Sequence, residues 1–136
     1  MGMESFSAAE ALFFQGHEGA LPLYGAVRAL VREVCPRVRI EGKRTQISFF
    51  ARYMFAAVSF APVGRAMDRP NPFLTLTLCL PARLESPRVA AAVEAYPGRW
   101  TTHILLGSPQ DADGELKGWL ESAAAYARRR GKGHAV

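Results

Sequence analysis

The sequence predicts an α+β domain: a mainly antiparallel five-stranded sheet with helices packed on one face. Three observations carry that expectation. Leu74-Thr75-Leu76-Thr77-Leu78-Cys79-Leu80 puts a leucine at every second position, the period-2 pattern of a strand with one face in a core. Neighbouring segments can be read in the same register, joined by connections short enough for antiparallel hairpins. Apolar stripes at helical spacing lie before and after this block, and they need an apolar sheet surface to cover.

The elements follow in chain order. Ser7-Ala8-Ala9-Glu10 has capping-box spacing, with Phe6 placed as a hydrophobic staple, and predicts a short helix from Ser7 to about Phe14 that ends at Gly16. A second helix opens at Gly19–Pro22. Its stripe is Leu23, Val27, Leu30, Val31 and Val34, and Pro36 stops it. Val38 and Ile40 alternate with Arg37 and Arg39 in a half-exposed first strand, and Glu41-Gly42-Lys43-Arg44 reads as a tight turn. Strands over 45–50 and 52–60 come next, then a loop over 61–72 with three prolines, then a fourth strand over 73–80.

Ser86-Pro87 offers a capping hydroxyl and a proline at a first helical position. Val89, Ala92, Val93 and Tyr96 form a stripe and Pro97-Gly98 a stop, which predicts a helix over 86–97. Trp100 to Leu106 is the fifth strand. Asp111 or Asp113 caps a last helix whose stripe is Leu116, Trp119, Leu120, Ala123 and Ala127.

A chain of 136 residues is the size of one domain and long enough to bury roughly two-thirds of its unfolded surface without disulfides or metal. Its 49% hydrophobic and 21% charged content is ordinary for a globular protein. The expectation is one domain over 1–136, an ordered core over about 6–127 and a frayed basic tail over 128–136. That tail holds Arg128, Arg129, Arg130 and Lys132, which account for four of the net five positive charges. The body is close to neutral, so nucleic acid is not the expected partner. Cys35 and Cys79 lack metal-ligand spacing and read as free thiols of a reducing, cytoplasmic compartment. No apolar run approaches the roughly 20 residues that span a bilayer, and no signal-peptide pattern opens the chain.

Strand alternation sorts side chains onto two faces. The apolar one takes Leu74, Leu76, Leu78 and Leu80 with Met54, Ala56, Val58 and Phe60. The other collects Gln46, Ser48, Phe50, Tyr53, Phe55, Ala57, Ser59, Thr75, Thr77, Cys79, Thr101, His103 and Leu105. Rings beside hydroxyls and one imidazole, without lysine or glutamate, resemble a ligand cleft or a self-association surface. The expected binding residues are therefore Gln46, Ser48, Tyr53, Phe55, Thr75, Thr77 and His103. Lys43, Arg52 and Arg99 add a preference for anions.

Positive signals for chemistry are few. His103 is the one histidine inside an expected element, and Ser48, Ser59 and Cys79 could approach it, but there is no GxSxG elbow. No His or Cys pair has metal-ligand spacing, Asp111, Asp113 and Glu115 do not complete a calcium loop, and no phosphate-binding glycine motif occurs. No cofactor or metal is expected. Arg37, Arg39, Lys43, Arg44 and Arg52 cluster around the first hairpin and read as a charged edge that guards against strand pairing.

Gly42-Lys43-Arg44-Thr45-Gln46-Ile47-Ser48-Phe49, Arg52-Tyr53-Met54-Phe55-Ala56-Ala57-Val58, the Leu74–Leu80 strand, Arg99-Trp100-Thr101-Thr102-His103-Ile104-Leu105-Leu106 and Glu115-Leu116-Lys117-Gly118-Trp119-Leu120 are similar to an uncharacterised bacterial group, the domain-of-unknown-function family 5655. The likeness covers about Phe13 to Ala127. It implies a fold and a bacterial origin rather than a reaction. Related domains end longer chains that look like nucleases or transport proteins, and the Asp…Glu-x-Lys cluster of a nuclease core does not occur here. The expected function is a binding or interaction module, homodimeric, using the mixed sheet face. The rivals are a small-molecule enzyme with His103 as general base and a weak nucleic-acid-binding accessory domain.

Overall fold

A computed structural model describes residues 6–63, Arg65 and residues 69–133. Among the described residues three α-helices, α1 (Ala8–Phe13), α2 (Leu21–Val34) and α3 (Gly114–Gly133), accompany six strands. These are β1 (Arg39–Gly42), β2 (Ile47–Phe50), β3 (Met54–Ser59), β4 (Leu74–Leu80), β5 (Val89–Tyr96) and β6 (Arg99–Leu106). They form one antiparallel sheet in the order β1-β2-β3-β4-β6-β5. The architecture is α+β, with one strand more than expected.

Local signals explain most of the helices. Ser7 accepts the Glu10 N–H at 3.1 Å, and the Glu10 carboxylate accepts the Ser7 N–H at 2.7 Å, which completes the capping box. Gly16 follows with φ +84, a conformation that favours glycine. The Phe6 ring packs on Tyr24 of α2 at 5.5 Å. Asp113 is the residue that caps α3, accepting the Leu116 N–H at 3.0 Å, while Asp111 closes the turn before it. α3 runs to Gly133, and Arg128 and Arg129 lie in its later turns.

The helices close one side of the sheet. Leu74, Leu76, Leu78, Leu80, Ile47, Phe49, Val58, Ile104 and Leu106 share one core with Leu23, Tyr24, Val27 and Val31 of α2 and with Leu116, Leu120, Ala123 and Ala127 of α3. α1 crosses β1 at Gly42, where a Cβ would sit 2.9 Å from Ala9 Cβ and 3.0 Å from the Ala9 carbonyl carbon. Gly42→Ala must push the α1 backbone away, and the expected cost is about 1–3 kcal/mol in urea unfolding. An unchanged midpoint would show that α1 docks more loosely than this contact requires.

Two expectations are corrected by the sheet. Residues 86–97 are not a helix. Ser86 caps only a local turn, accepting the Arg88 N–H at 3.1 Å, and Val89–Tyr96 is edge strand β5. Arg88 pins this segment to the start of α3. Its guanidinium donates to Asp113 at 3.0 Å, Glu115 at 3.0 Å and the Asp111 carbonyl at 2.8 Å. Pro97-Gly98 is the two-residue turn of a β5–β6 hairpin, with Gly98 at φ +82, as a proline-then-glycine turn demands. The open edge of β6 offers β5 a ladder of backbone partners, and that outweighs the helical propensity of Ala90-Ala91-Ala92, because tertiary context overrides differences of less than about 1 kcal/mol per residue.

The second correction is one of parity. Phe49 pairs with Ala56, but Phe50 pairs with Met54, so Phe55 is an extra residue in β3. This β-bulge turns the Phe55 ring into the core, where it is fully buried, and moves Met54 to the opposite face. Plain alternation predicts these two residues the other way round.

Candidate functional site on the open sheet face

Ladder register defines the face away from the helices. Ser48, Ala57, Thr77, His103 and Ala91 form a row across β2, β3, β4, β6 and β5. Ser59, Thr75 and Leu105 form a second row, and Cys79, Thr101 and Val93 a third.

The polar centre is a pair. Thr77 Oγ1 and His103 Nδ1 lie 2.9 Å apart. With the ring proton on Nε2 the hydroxyl donates to Nδ1, and with it on Nδ1 the ring donates. Burial holds the His103 pKa below its usual 6.5, so the imidazole is neutral at pH 7. Among the described residues Thr77 is its one hydrogen-bond partner, and no carboxylate orients the ring. A neutral imidazole next to a hydroxyl offers a ligand or a facing surface one donor and one acceptor.

Other expected residues divide between this centre and other duties. Gln46 Nε2 donates to Ser48 Oγ at 2.7 Å and lies 3.9 Å from Met54 Sδ, so Gln46, Ser48 and Met54 form one patch. Thr75 is buried, and its hydroxyl donates to the Ala61 carbonyl at 2.8 Å, anchoring the loop that follows β3. It is covered by a loop, not by a helix. Phe55 faces the core, for the reason given above. Tyr53 sits exposed in the β2–β3 turn with the Arg52 guanidinium 5.8 Å from its ring.

The basic residues do not converge. Lys43 lies in the β1–β2 turn and Arg52 in the β2–β3 turn, at opposite ends of β2. Arg99 opens β6 near the far edge, its guanidinium 5.7 Å from the Tyr96 ring and 3.4 Å from Cys79 Sγ.

Sequence reasoning missed β5's contribution to this face. Val93 is 58% exposed and Tyr96 45%. The signal existed: Pro97-Gly98 between Tyr96 and Trp100 is also a hairpin turn. Nothing local could have revealed Met54, because the bulge depends on how β2 and β3 pair. Among the described residues no group of three His, Cys, Asp or Glu side chains can hold a metal ion, and no helix is long and apolar enough to cross a membrane.

With this geometry the chain can be placed in a class. It is an α+β domain whose sheet is helix-covered on one side only. The family described as "Domain of unknown function (DUF5655)" matches residues 9–127, and the chain belongs to that family. No curated protein and no solved structure matches it.

Proposed function

We propose that the chain is an interaction module that holds a second copy of itself against the open face of its sheet. The observation behind this reading is the one-sided cover. All three helices share one core with the sheet's leucines, while Phe50, Met54, Thr77, His103 and Thr101 stay half-exposed and Val93 exposed on the other side. The four central strands β2, β3, β4 and β6 carry Arg99 as their one charged residue. On this face Arg39 and Glu41 lie on edge strand β1, away from the centre, and loss of charge at the centre is the compositional mark of an interface that two sheets can form by stacking. Thr77 and His103 give the stacked faces polar contacts near their middle. Cys35 and Cys79 are free and buried, which fits a reducing cytoplasm as the setting. An imidazole held by a threonine hydroxyl, with no carboxylate partner among the described residues, favours recognition over base catalysis.

Light scattering after size exclusion, across micromolar concentrations, is expected to give twice the 14.9 kDa chain mass. Val93→Glu and Met54→Glu should return the monomer, because each buries an unpaired carboxylate in the contact. A monomeric mass throughout, or a dimer indifferent to both changes, overturns the reading.

A further inference from the structure

We propose that a cleft remote from the open sheet face binds a small amphipathic anion: a carboxylate, phosphate or sulfonate group joined to an apolar body. The cleft lies between the C-terminal end of α2, the β2–β3 turn and the later turns of α3. It has a volume of about 760 Å³ and is lined by Cys35, Pro36, Arg37, Ala51, Arg52 and Arg128. That is within the roughly 300–1,000 Å³ of small-molecule sites.

The lining has two parts. Cys35, 6% exposed, and half-buried Ala51 lie with Pro36 and the arginine stems as the apolar part. Arg37, Arg52 and Arg128 bring three guanidiniums. Four arginines outside the cleft pair with acids: Arg28 with Glu10 at 2.7 Å, Arg39 with Glu41 at 3.3 Å, Arg83 with Glu85 at 3.7 Å and Arg88 with Asp113 at 3.0 Å. Among the described residues no carboxylate lies within 4.0 Å of Arg37, Arg52 or Arg128.

Three like charges around one cleft repel each other, and a bound anion relieves that repulsion. Planar guanidiniums also suit two-point bonding to carboxylate, phosphate or sulfonate oxygens. The opposing field is the negative end of α2, whose C-cap is Cys35. It amounts to about half a charge, against three full positive charges. Part of it is already quenched, because the Val31 carbonyl accepts the Cys35 N–H at 2.8 Å and the Cys35 carbonyl accepts the Val38 N–H at 2.9 Å. A nucleic-acid backbone is a poorer match. It would need a continuous basic stripe, and Lys43, Arg44 and Arg99 lie at other corners of the fold.

The test uses 8-anilinonaphthalene-1-sulfonate as the amphipathic anion, N-phenyl-1-naphthylamine as its neutral counterpart and inorganic sulfate as the bare anion. The sulfonate is expected to bind more tightly than either, less tightly as salt rises, and to slow alkylation of Cys35 by iodoacetamide, read at that residue by peptide mass spectrometry. Arg37→Gln, Arg52→Gln and Arg128→Gln should each weaken it about tenfold, since each removes a charge-assisted contact. Arg83→Gln, outside the cleft, should not. Circular dichroism confirms that the variants fold. Equal binding of the neutral probe, no protection of Cys35, or affinity indifferent to the three arginines overturns the proposal. So does a single-stranded oligonucleotide that displaces the sulfonate below the sulfonate's own half-saturating concentration. None of these readings depends on dimer mass, so this site and the sheet-face contact stand or fall separately.

Discussion

Arg28→Met is expected to cost about 3–5 kcal/mol of folding stability at pH 7, because it leaves a buried carboxylate without its counter-charge. Glu10 is 1% exposed, and three donors converge on it. Arg28 Nε donates to Oε2 at 2.7 Å, the Tyr24 hydroxyl donates to the same oxygen, and the Ser7 N–H donates to Oε1 at 2.7 Å. Burial alone pushes the Glu10 pKa up. The hydrogen bonds from Tyr24, Ser7 and Arg28, with the Arg28 charge, more than reverse that and hold it below 4.5. A double variant, Glu10→Gln with Arg28→Met, should recover part of the loss because no buried charge remains. A drop of less than about 1 kcal/mol for the single change would mean that the pair does not anchor α1 to α2.

The same cluster sets a pH window. Glu10 has a lowered folded pKa, so its contribution is present above about 4.5 and drains away as pH falls through the folded value. Tyr24 behaves oppositely. Burial first, then the neighbouring Glu10 hydrogen bond and charge, raise its pKa well above 10.0. Its contribution is full below 10.0 and is lost as pH climbs beyond it. Unfolding midpoints measured across pH should fall at both ends. Arg28→Met should flatten the acid limb, because the folded pKa of Glu10 then loses a donor and a positive charge.

Phe55→Ala carries the second large expected effect, a loss of about 3–5 kcal/mol, the usual cost of deleting a buried phenylalanine ring. Met54→Ala should cost less than about 1.5 kcal/mol, since Met54 is half-exposed on the open face. The contrast tests the bulge. Uninterrupted alternation through β3 would bury Met54 and present Phe55, and the two costs would exchange. Urea unfolding of both variants decides between them.

The bulge also marks where local reading stopped. The leucine alternation of β4, the stripes of α2 and α3 and the Ser7 capping box all sit where periodicity and capping rules put them, because each signal lies within a few residues of what it specifies. Segment 86–97 satisfied helix rules as well as strand rules. The free edge of β6 and the tether from Arg88 to Asp113 and Glu115 decided it. Of the expected site, Thr77 and His103 meet across neighbouring strands, and Gln46 and Ser48 meet each other one strand beyond Ala57. Phe55 left the open face because of β2–β3 pairing, and Thr75 stays on it but is covered by the Ala61 loop.

The sequence by itself determined the fold class, the capped α1, the stripes of α2 and α3, and the presence of a sheet face whose central strands lack lysine and acids. Tertiary structure alone decided which residues populate that face, the extra edge strand, and the meeting of Arg128 with Arg37 and Arg52. The physical reason is range. Helical and strand periodicity act over one or two turns, whereas ladder register and convergent charge depend on groups that lie far apart along the chain and become neighbours through packing of the core.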